Sequence, residues 1–413
     1  MRHPFVFIAS FALLAAACSN SDAPDVVPLF DDAAESSTAA VATSVIDTTS
    51  STTAAVSSAE AAITTTTEDA AETSSTTAGS VSTVPRGNEA SAPRGGGDAS
   101  EELMSLYVGA LGNYSLDQAL ATSPVAMPTV ASGISPLTGL PSARSGTSAI
   151  VVKIDNSSKA RPQAGLDVAD VVIEQEVEGG ITRFAAIFQS SAPERIGPVR
   201  SARSTDISFL SALGQPGLAY SGANEVFDTL IVRQERVRNY SANRFGGYWR
   251  DTSRRAPSNL YTSMSQFSTQ AAPPPAWFHF GDGAAASGSP TASFVASFPS
   301  TNITWTWNGA GWNRAQDGRN HLSESGAVLE ATNVVVAQVA VVDSGLKDPT
   351  GAIVPEFVWA GEGPVAVFTN GRRIDGRWIR PTLADPAVLV DASGAVIELA
   401  PGSTWVELTR GLP

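Results

Sequence analysis

The sequence predicts an α/β (α+β) N-terminal domain followed by a β-rich C-terminal domain, both carried behind a disordered N-terminal tether. Three observations lead there. Residues 19–98 are nearly free of large aliphatic and aromatic side chains. From there to about residue 288, strand-like runs are mixed with helix-like ones. Beyond residue 288, β-branched and aromatic runs are separated by Gly, Asn and Asp turns. The division is therefore 1–18, 19–98, 99–288 and 289–413.

Residues 1–18, "MRHPFVFIASFALLAAAC", begin with Arg2 and His3 and continue as an apolar run from Phe5 to Ala17. A membrane-spanning helix needs about 20 such residues, whereas the central region of a secretory signal needs about 7–15. Ala15–Ala17 lead into Cys18, the only cysteine of the 413 residues. The pattern resembles the lipobox of bacterial lipoproteins, in which the cysteine is diacylated and becomes the new N-terminus. Leu14 sits one place earlier than that pattern usually has its leucine, and an ordinary signal peptide with an incidental cysteine is the alternative. With no second cysteine there is no disulfide to staple the fold. Lipid on Cys18 is then the anchor on the outer face of the bacterial cytoplasmic membrane.

Ser19 to about Ser100 is Ser, Thr, Ala and acid, with twelve acids against Arg86 and Arg94. Such a composition offers little apolar area against the entropy of ordering. It accounts for most of the net charge of −14, and it reads as a spacer of roughly 50 Å if it behaves as a coil. A glycosylated stalk is a second possibility for this composition.

Structure begins near Asp98. "DASEELMSLYVGALG" places Leu103, Leu106, Tyr107, Ala110 and Leu111 on one helical face, with Ser100 as cap and Gly112 as stop. "AIVVKID" (149–155) is the first strand. "DVVIEQEVE" and "ITRFAAIFQS", joined by Gly179-Gly180, read as a hairpin. "STDISFLSALG", "NEVFDTLIVRQ" and "SMSQFSTQA" read as helices, with "GLAYSG" a strand between the first two. In the last third, "ASFVASF", "NITWTWN", "VVVAQVAVVD", "FVWAGEGPVAVFTNG", "RWIRP" and "TWVELTR" read as strands.

The candidate functional residues are mainly arginines. Between residues 181 and 260 there are eleven arginines, no lysine and six acids. A guanidinium is a planar fork that pairs bidentately with carboxylate or phosphate and stays ionised. Arg200 and Arg203 fall at the start of the helix expected from Ser204, beside backbone N–H groups that favour anions. The candidate ligand-binding residues are Arg183, Arg195, Arg200, Arg203, Asp206, Arg250, Asp251, Arg254, Arg255 and Asn259. Two readings stay open for them: an anion cradle, or arginines paired with Glu194, Asp206 and Asp251 to hold irregular loops. Tyr248 and Trp249 beside Arg250 could wall a sugar or phosphate site or belong to the core. Asn259 could bind a ligand or cap a turn.

Enzyme chemistry has thin support. The mature chain has two histidines, His279 and His321, with no G-x-S-x-G elbow, zinc-ligand spacing or phosphate loop. Glu174 and Glu176 alternate along one strand, as glycosidase acids could or as a solvent-facing hairpin would. A divalent-metal phosphoryl site built on Asp155, Asp206 or Asp251 is conceivable. No cofactor is expected. Nucleic acid is disfavoured, because the body is acidic and exported and lacks lysine-rich flanks.

"SPLTGLP", "VVKIDNSSKARPQAGLDVADVVIEQEVEGGITRFAAIFQS", "ERIGPVRSARSTDI" and "YWRDTSRRAPSNLYT" closely resemble the YerB-like lipoproteins, a bacterial family of unestablished activity. "NVVVAQ", "GEGPVAVFTNGRRIDGRWIR" and "PGSTWVEL" resemble that family's second domain. The resemblance runs over roughly 135–413. It implies a two-domain envelope lipoprotein and supplies no catalytic residue. The expected function is binding of an anionic envelope ligand, such as a phosphorylated or carboxylated glycan precursor, or of an envelope-assembly partner. A metal-dependent hydrolase or transferase and a scaffolding lipoprotein are the alternatives.

Overall fold

"IVVKID", "VVIEQE" and "TRFAAIF" are buried at every position, which requires strands covered on both faces. They are β1 (Ile150–Asp155), β2 (Val171–Glu176) and β3 (Thr182–Phe188). The protein is described by a computed structural model over residues 120–232, 236–281, 288–348 and 351–413. The signal segment with Cys18, the tether and the helix expected over 100–112 lie outside the described residues. The remaining strands of the first half are β4 (Gly217–Tyr220), β5 (Arg238–Ser241), β6 (Tyr248–Arg250) and β7 (Leu260–Thr262). Then come β8 (Ser289–Pro290), β9 (Ser293–Phe298), β10 (Thr301–Trp307), β11 (Trp312–Gln316), β12 (Arg319–Asn320) and β13 (Glu330–Ala331). The last are β14 (Asn333–Gln338), β15 (Ala340–Lys347), β16 (Ile353–Val358), β17 (Gly361–Thr369), β18 (Arg372–Arg380), β19 (Val388–Asp391) and β20 (Thr404–Thr409).

One mixed sheet of eleven strands runs in the order β19-β18-β17-β14-β20-β2-β3-β1-β4-β5, with β8 added on β18. The Gly-Gly hairpin forms as expected: β2 and β3 are antiparallel, with Glu176 opposite Thr182. Gly180 sits at φ +71°, and a Cβ there would meet the Ser300 hydroxyl at 2.5 Å, so the turn takes glycine. The strand from "TWVELTR" does not stay with its neighbours in sequence. It lies between β14 and β2, parallel to both.

Side-chain alternation divides the core into two layers. On one face lie Val151, Ile173, Ala185, Val335, Val406 and Leu408. On the other lie Val152, Val172, Phe184, Val334, Val336 and Trp405. The second layer is closed by a smaller sheet, β12-β11-β10-β9 with β13 on β11. That sheet contributes Phe294, Ile303, Trp305 and Trp312. The pairs β6–β7 and β15–β16 stand apart as two-stranded ribbons.

The chain is mostly β, and the α/β N-terminal domain expected from the sequence is corrected to a largely β one. "STDISFLSALG" yields only α1 (Asp206–Leu210), and "NEVFDTLIVRQ" yields α2 (Glu225–Val232). α2 joins the parallel strands β4 and β5 and is the only such β–α–β unit among the described residues. "SMSQFSTQA" makes a single 3-10 turn, Met264–Gln266. Its Ser, Thr and Phe residues are weak helix formers, and Pro273–Pro275 follow. α1 stops at Leu210, ahead of Gly214, which lies at φ +71° against the Pro273 carbonyl.

Candidate functional site

The segment "RIGPVRSARSTD" is threaded against the carboxyl end of β1. The Asp155 amide donates to the Pro198 carbonyl (2.9 Å), the Arg200 amide to Lys153 (2.8 Å) and the Val199 amide to Leu260 (2.6 Å). Gly197 lies at φ +152°, and a Cβ there would come within 2.8 Å of both the Leu260 carbonyl and the Tyr261 ring. A bare backbone is what lets the segment pass. Beyond it, the Ser221 amide donates to Arg200 and the Ala202 amide to Gly222. Arg200 and Arg203 therefore stand where the parallel strands β1 and β4 end, the position where open sheets with parallel strands hold ligands.

Three guanidiniums gather there. Arg183, on β3 directly opposite Asp155, is 5% exposed. It donates to the Ser201 carbonyl (3.2 Å), and its Nε is buried with no hydrogen-bond partner. Arg200 makes one ion pair, Nε to Asp155 at 3.3 Å, and its side chain is 32% exposed. Arg203 forms a fork with Glu178, both contacts at 2.6 Å. Burial, then the charges of Arg203 and Arg200, push the Arg183 guanidinium down to about 9, with Asp155 and Glu178 opposing. Burial alone would raise the Asp155 carboxyl. The Ser157 amide, Arg183, Arg200 and the Ser258 hydroxyl outweigh it and hold Asp155 below the usual carboxylate range.

Asp206 does not face this opening. Its carboxylate accepts Lys153 Nζ (2.7 Å), Gln175 Nε2 (3.1 Å) and the Arg203 amide (2.9 Å) in a fully buried pair. Burial lowers Lys153 despite Asp206. The helix start expected to favour anions is also missing as such, because α1 has only five residues.

The other candidates form a second group tied to β11–β13 of the smaller sheet by Glu324, which lies between β12 and β13. Arg195 binds Asp251 (2.5 Å) and Glu324 (2.6 Å) and lies 3.6 Å over the Tyr261 ring. Arg254 donates to the carbonyls of Pro162, Lys159 and Arg161 and to Glu324 and Tyr261. Arg250 donates to Asn259 (2.7 Å), and Asn259 donates to the carbonyls of Asp251 and Arg254. Asn259 thus organises the 250–259 loop. Asp251 is held down to about 2 by the Ser253 hydroxyl and Arg195. Arg255 is exposed. In the ribbon, Tyr248 donates to the Tyr240 carbonyl, while Trp249 is exposed. The link between the groups is Asp155, which also accepts the Ser258 hydroxyl (3.0 Å).

Sequence reasoning overlooked Lys153, Glu178, Tyr261 and Glu324 as parts of these groups. Lys153 carried a signal, a lone cation within the apolar run Ile150–Ile154. Glu324 carried none, being 129 residues from Arg195. Glu174 and Glu176 are not on a solvent-facing hairpin: Glu174 is fully buried against Arg314 (2.7 Å) and Glu176 binds Arg410 (3.0 Å). His321 is buried, and burial pushes it well below its ordinary value. Among the described residues no three His, Cys, Asp or Glu side chains gather as a metal site. No helix among them is long and apolar enough to cross a membrane.

Next to Arg203 opens a cleft of about 360 Å³ lined by Ser201, Ser204, Gly222, Asn224 and Lys347. Profiles of the family described as "Protein of unknown function (DUF3048)" match its N-terminal domain to residues 137–274 and its C-terminal domain to residues 294–406. The chain belongs to the DUF3048 family. Both guanidinium groups fall in the DUF3048 N-terminal match, while Lys347 and Glu324 come from the C-terminal one. A stretch of 144 residues is 36% identical to "Putative lipoprotein YerB" of Bacillus subtilis (strain 168). It covers 31% of this chain and 39% of that protein, so the alignment spans well under half of the relative's length. The crystal structure of YerB protein from Bacillus subtilis is similar in fold, with a TM-score of 0.57 at 25% identity. That similarity covers 68% of this chain and 97% of the YerB chain.

Proposed function

We propose that this DUF3048 protein is a lipid-anchored protein of the cell envelope that binds an anionic ligand at the ends of β1 and β4. The ligand class is a phosphorylated or carboxylated glycan precursor. The lipid anchor rests on Cys18 after Ala15–Ala17 and on the lipoprotein name of the YerB relative. Binding rests on one observation. Among the described residues, the carboxylates paired with Arg200 and Arg203 are Asp155 and Glu178, and the buried Arg183 Nε has no hydrogen-bond partner. Three guanidiniums against two carboxylates leave an excess of positive charge, which an oxyanion arriving at the half-buried Arg200 offsets. Arg200, with a single long contact and a half-buried side chain, is the residue best placed to bind first. A hydrolytic reading is less supported, because Asp206 is closed off by Lys153 and Gln175.

The test is calorimetric titration of the full chain with inorganic pyrophosphate, beside Arg200→Ala. Charge-assisted hydrogen bonds of about 1.5–3 kcal/mol predict a roughly 10- to 100-fold loss of affinity with little change in melting temperature. No binding by the wild type, or equal binding by both proteins, defeats the proposal.

A further inference from the structure

Away from the guanidinium patch, the turn after β1 and the smaller sheet enclose an open groove of about 650 Å³. That volume is typical of small-molecule sites, which run about 300–1,000 Å³. Its walls are polar, and what decides its chemistry is which groups are already engaged.

The floor is closed. His321 Nδ1 accepts from Arg314 Nη1, and His321 Nε2 donates to Gln163 Oε1 (2.7 Å), so the ring is neutral with both nitrogens occupied. Gln316 accepts from Arg314 (3.1 Å) and donates to Thr301 (3.0 Å). The acidic side chains of the groove are engaged too. Glu324 accepts from Arg195, Arg254 and Tyr261. Asp317 accepts from the Thr301 hydroxyl (2.8 Å) and the Asn302 amide (3.1 Å).

The cations are different. Among the described residues, neither Arg161 nor Arg319 makes an ion pair with a carboxylate, and both line the groove. Arg161 Nε is buried with no hydrogen-bond partner. Burial lowers this guanidinium's affinity for its proton, with Asp317 only partly opposing. Beside the two cations stand the exposed polar side chains of Asn320 and Ser158, and two apolar surfaces, Pro162 and the 40%-exposed Leu322. A ligand complementary to this has one anionic group for the arginine pair, hydroxyls for Asn320 and Ser158, and a C–H face for Leu322 and Pro162.

We propose that this groove is a second binding site, separate from the Arg183–Arg200–Arg203 patch, and that it takes a carboxylated saccharide. The carboxylate lies between Arg161 and Arg319, and the ring lies over Leu322. The site binds without catalysing, since its histidine has no free nitrogen and its carboxylates are held by cations and hydroxyls. The inference does not depend on the ligand proposed for the other patch.

The experiment titrates the full chain with a trisaccharide of glucuronic acid, with its neutral glucose counterpart and with inorganic phosphate, read by saturation-transfer NMR and calorimetry. The acidic trisaccharide is expected to bind at least tenfold more tightly than either comparison probe. Arg161→Ala and Arg319→Ala are each expected to weaken it at least tenfold, while Arg200→Ala leaves it unchanged. Arg319 is exposed, so its variant keeps the test valid if Arg161→Ala melts early. Equal binding of the neutral sugar, phosphate binding as tight as the saccharide, no binding at all, or full affinity in Arg319→Ala each overturns the proposal. Loss of saccharide binding in Arg200→Ala alone places the sugar at the other patch, which also overturns it.

Discussion

Glu174 and Glu407 are register partners on the parallel strands β2 and β20, so the pleat points both carboxyls to the same face. Both are fully buried. Arg314 pairs with Glu174 (2.7 Å), and Trp305 Nε1 donates to Glu407 (3.0 Å). Burial first, and then repulsion from Glu174, hold the Glu407 carboxyl well above its ordinary value, with Arg314 opposing. One cation cannot neutralise two adjacent carboxylates, so Glu407 keeps its proton. The direction of the pH effect follows. Below the ordinary value of 4.5 both folded and unfolded chains are protonated, and the contribution is complete. As pH rises from there toward the raised folded value, only the unfolded chain releases its proton freely, and stability falls. The limiting slope for one proton is about 1 kcal/mol per pH unit. Glu407→Gln keeps a donor toward Glu174 and an acceptor for Trp305 but cannot ionise. Urea unfolding between pH 5 and 8 should show a flatter pH dependence for this variant, which becomes the more stable protein at pH 8. Parallel curves for the two proteins would contradict this account.

At the scale of the element, β20 decides how the two DUF3048 regions relate. It contributes Val406 and Leu408 to one core layer and Trp405 to the other, and it bridges β14 to β2. Each such side chain is stabilising by about 1.5–3 kcal/mol, against about 5–15 kcal/mol for a whole domain. A fragment of residues 1–288 loses this neighbour of β2 and the smaller sheet over Phe184 and Val172. It should show no cooperative thermal transition and should bind a hydrophobic dye, unlike the full chain. A sharp melting transition in the fragment would refute the dependence. "TWVELTR" was legible as a strand from its β-branched and aromatic residues, but nothing local to it names a partner more than two hundred residues away. "STDISFLSALG" was likewise legible as a short helix, of which the structure keeps the five residues of α1.

For the whole molecule, the proposed anchor is Cys18. Cys18→Ser should abolish incorporation of labelled palmitate and shift the protein from the membrane to the soluble fraction. An unchanged membrane fraction would remove the lipid from the proposal. Local pattern by itself determined the Gly-Gly hairpin, many of the strands and the concentration of arginine in one stretch, because each depends on neighbours within a few residues, while the family was legible as a resemblance of whole motifs over roughly 135–413. Only the tertiary structure decided which arginines are engaged. Arg195 and Arg254 reach Glu324 across more than sixty residues, Arg203 takes Glu178, and Arg183 is left with a bare N–H. Charge pairing follows distance in space, and a guanidinium's partner is set by how the strands stack rather than by its position along the chain.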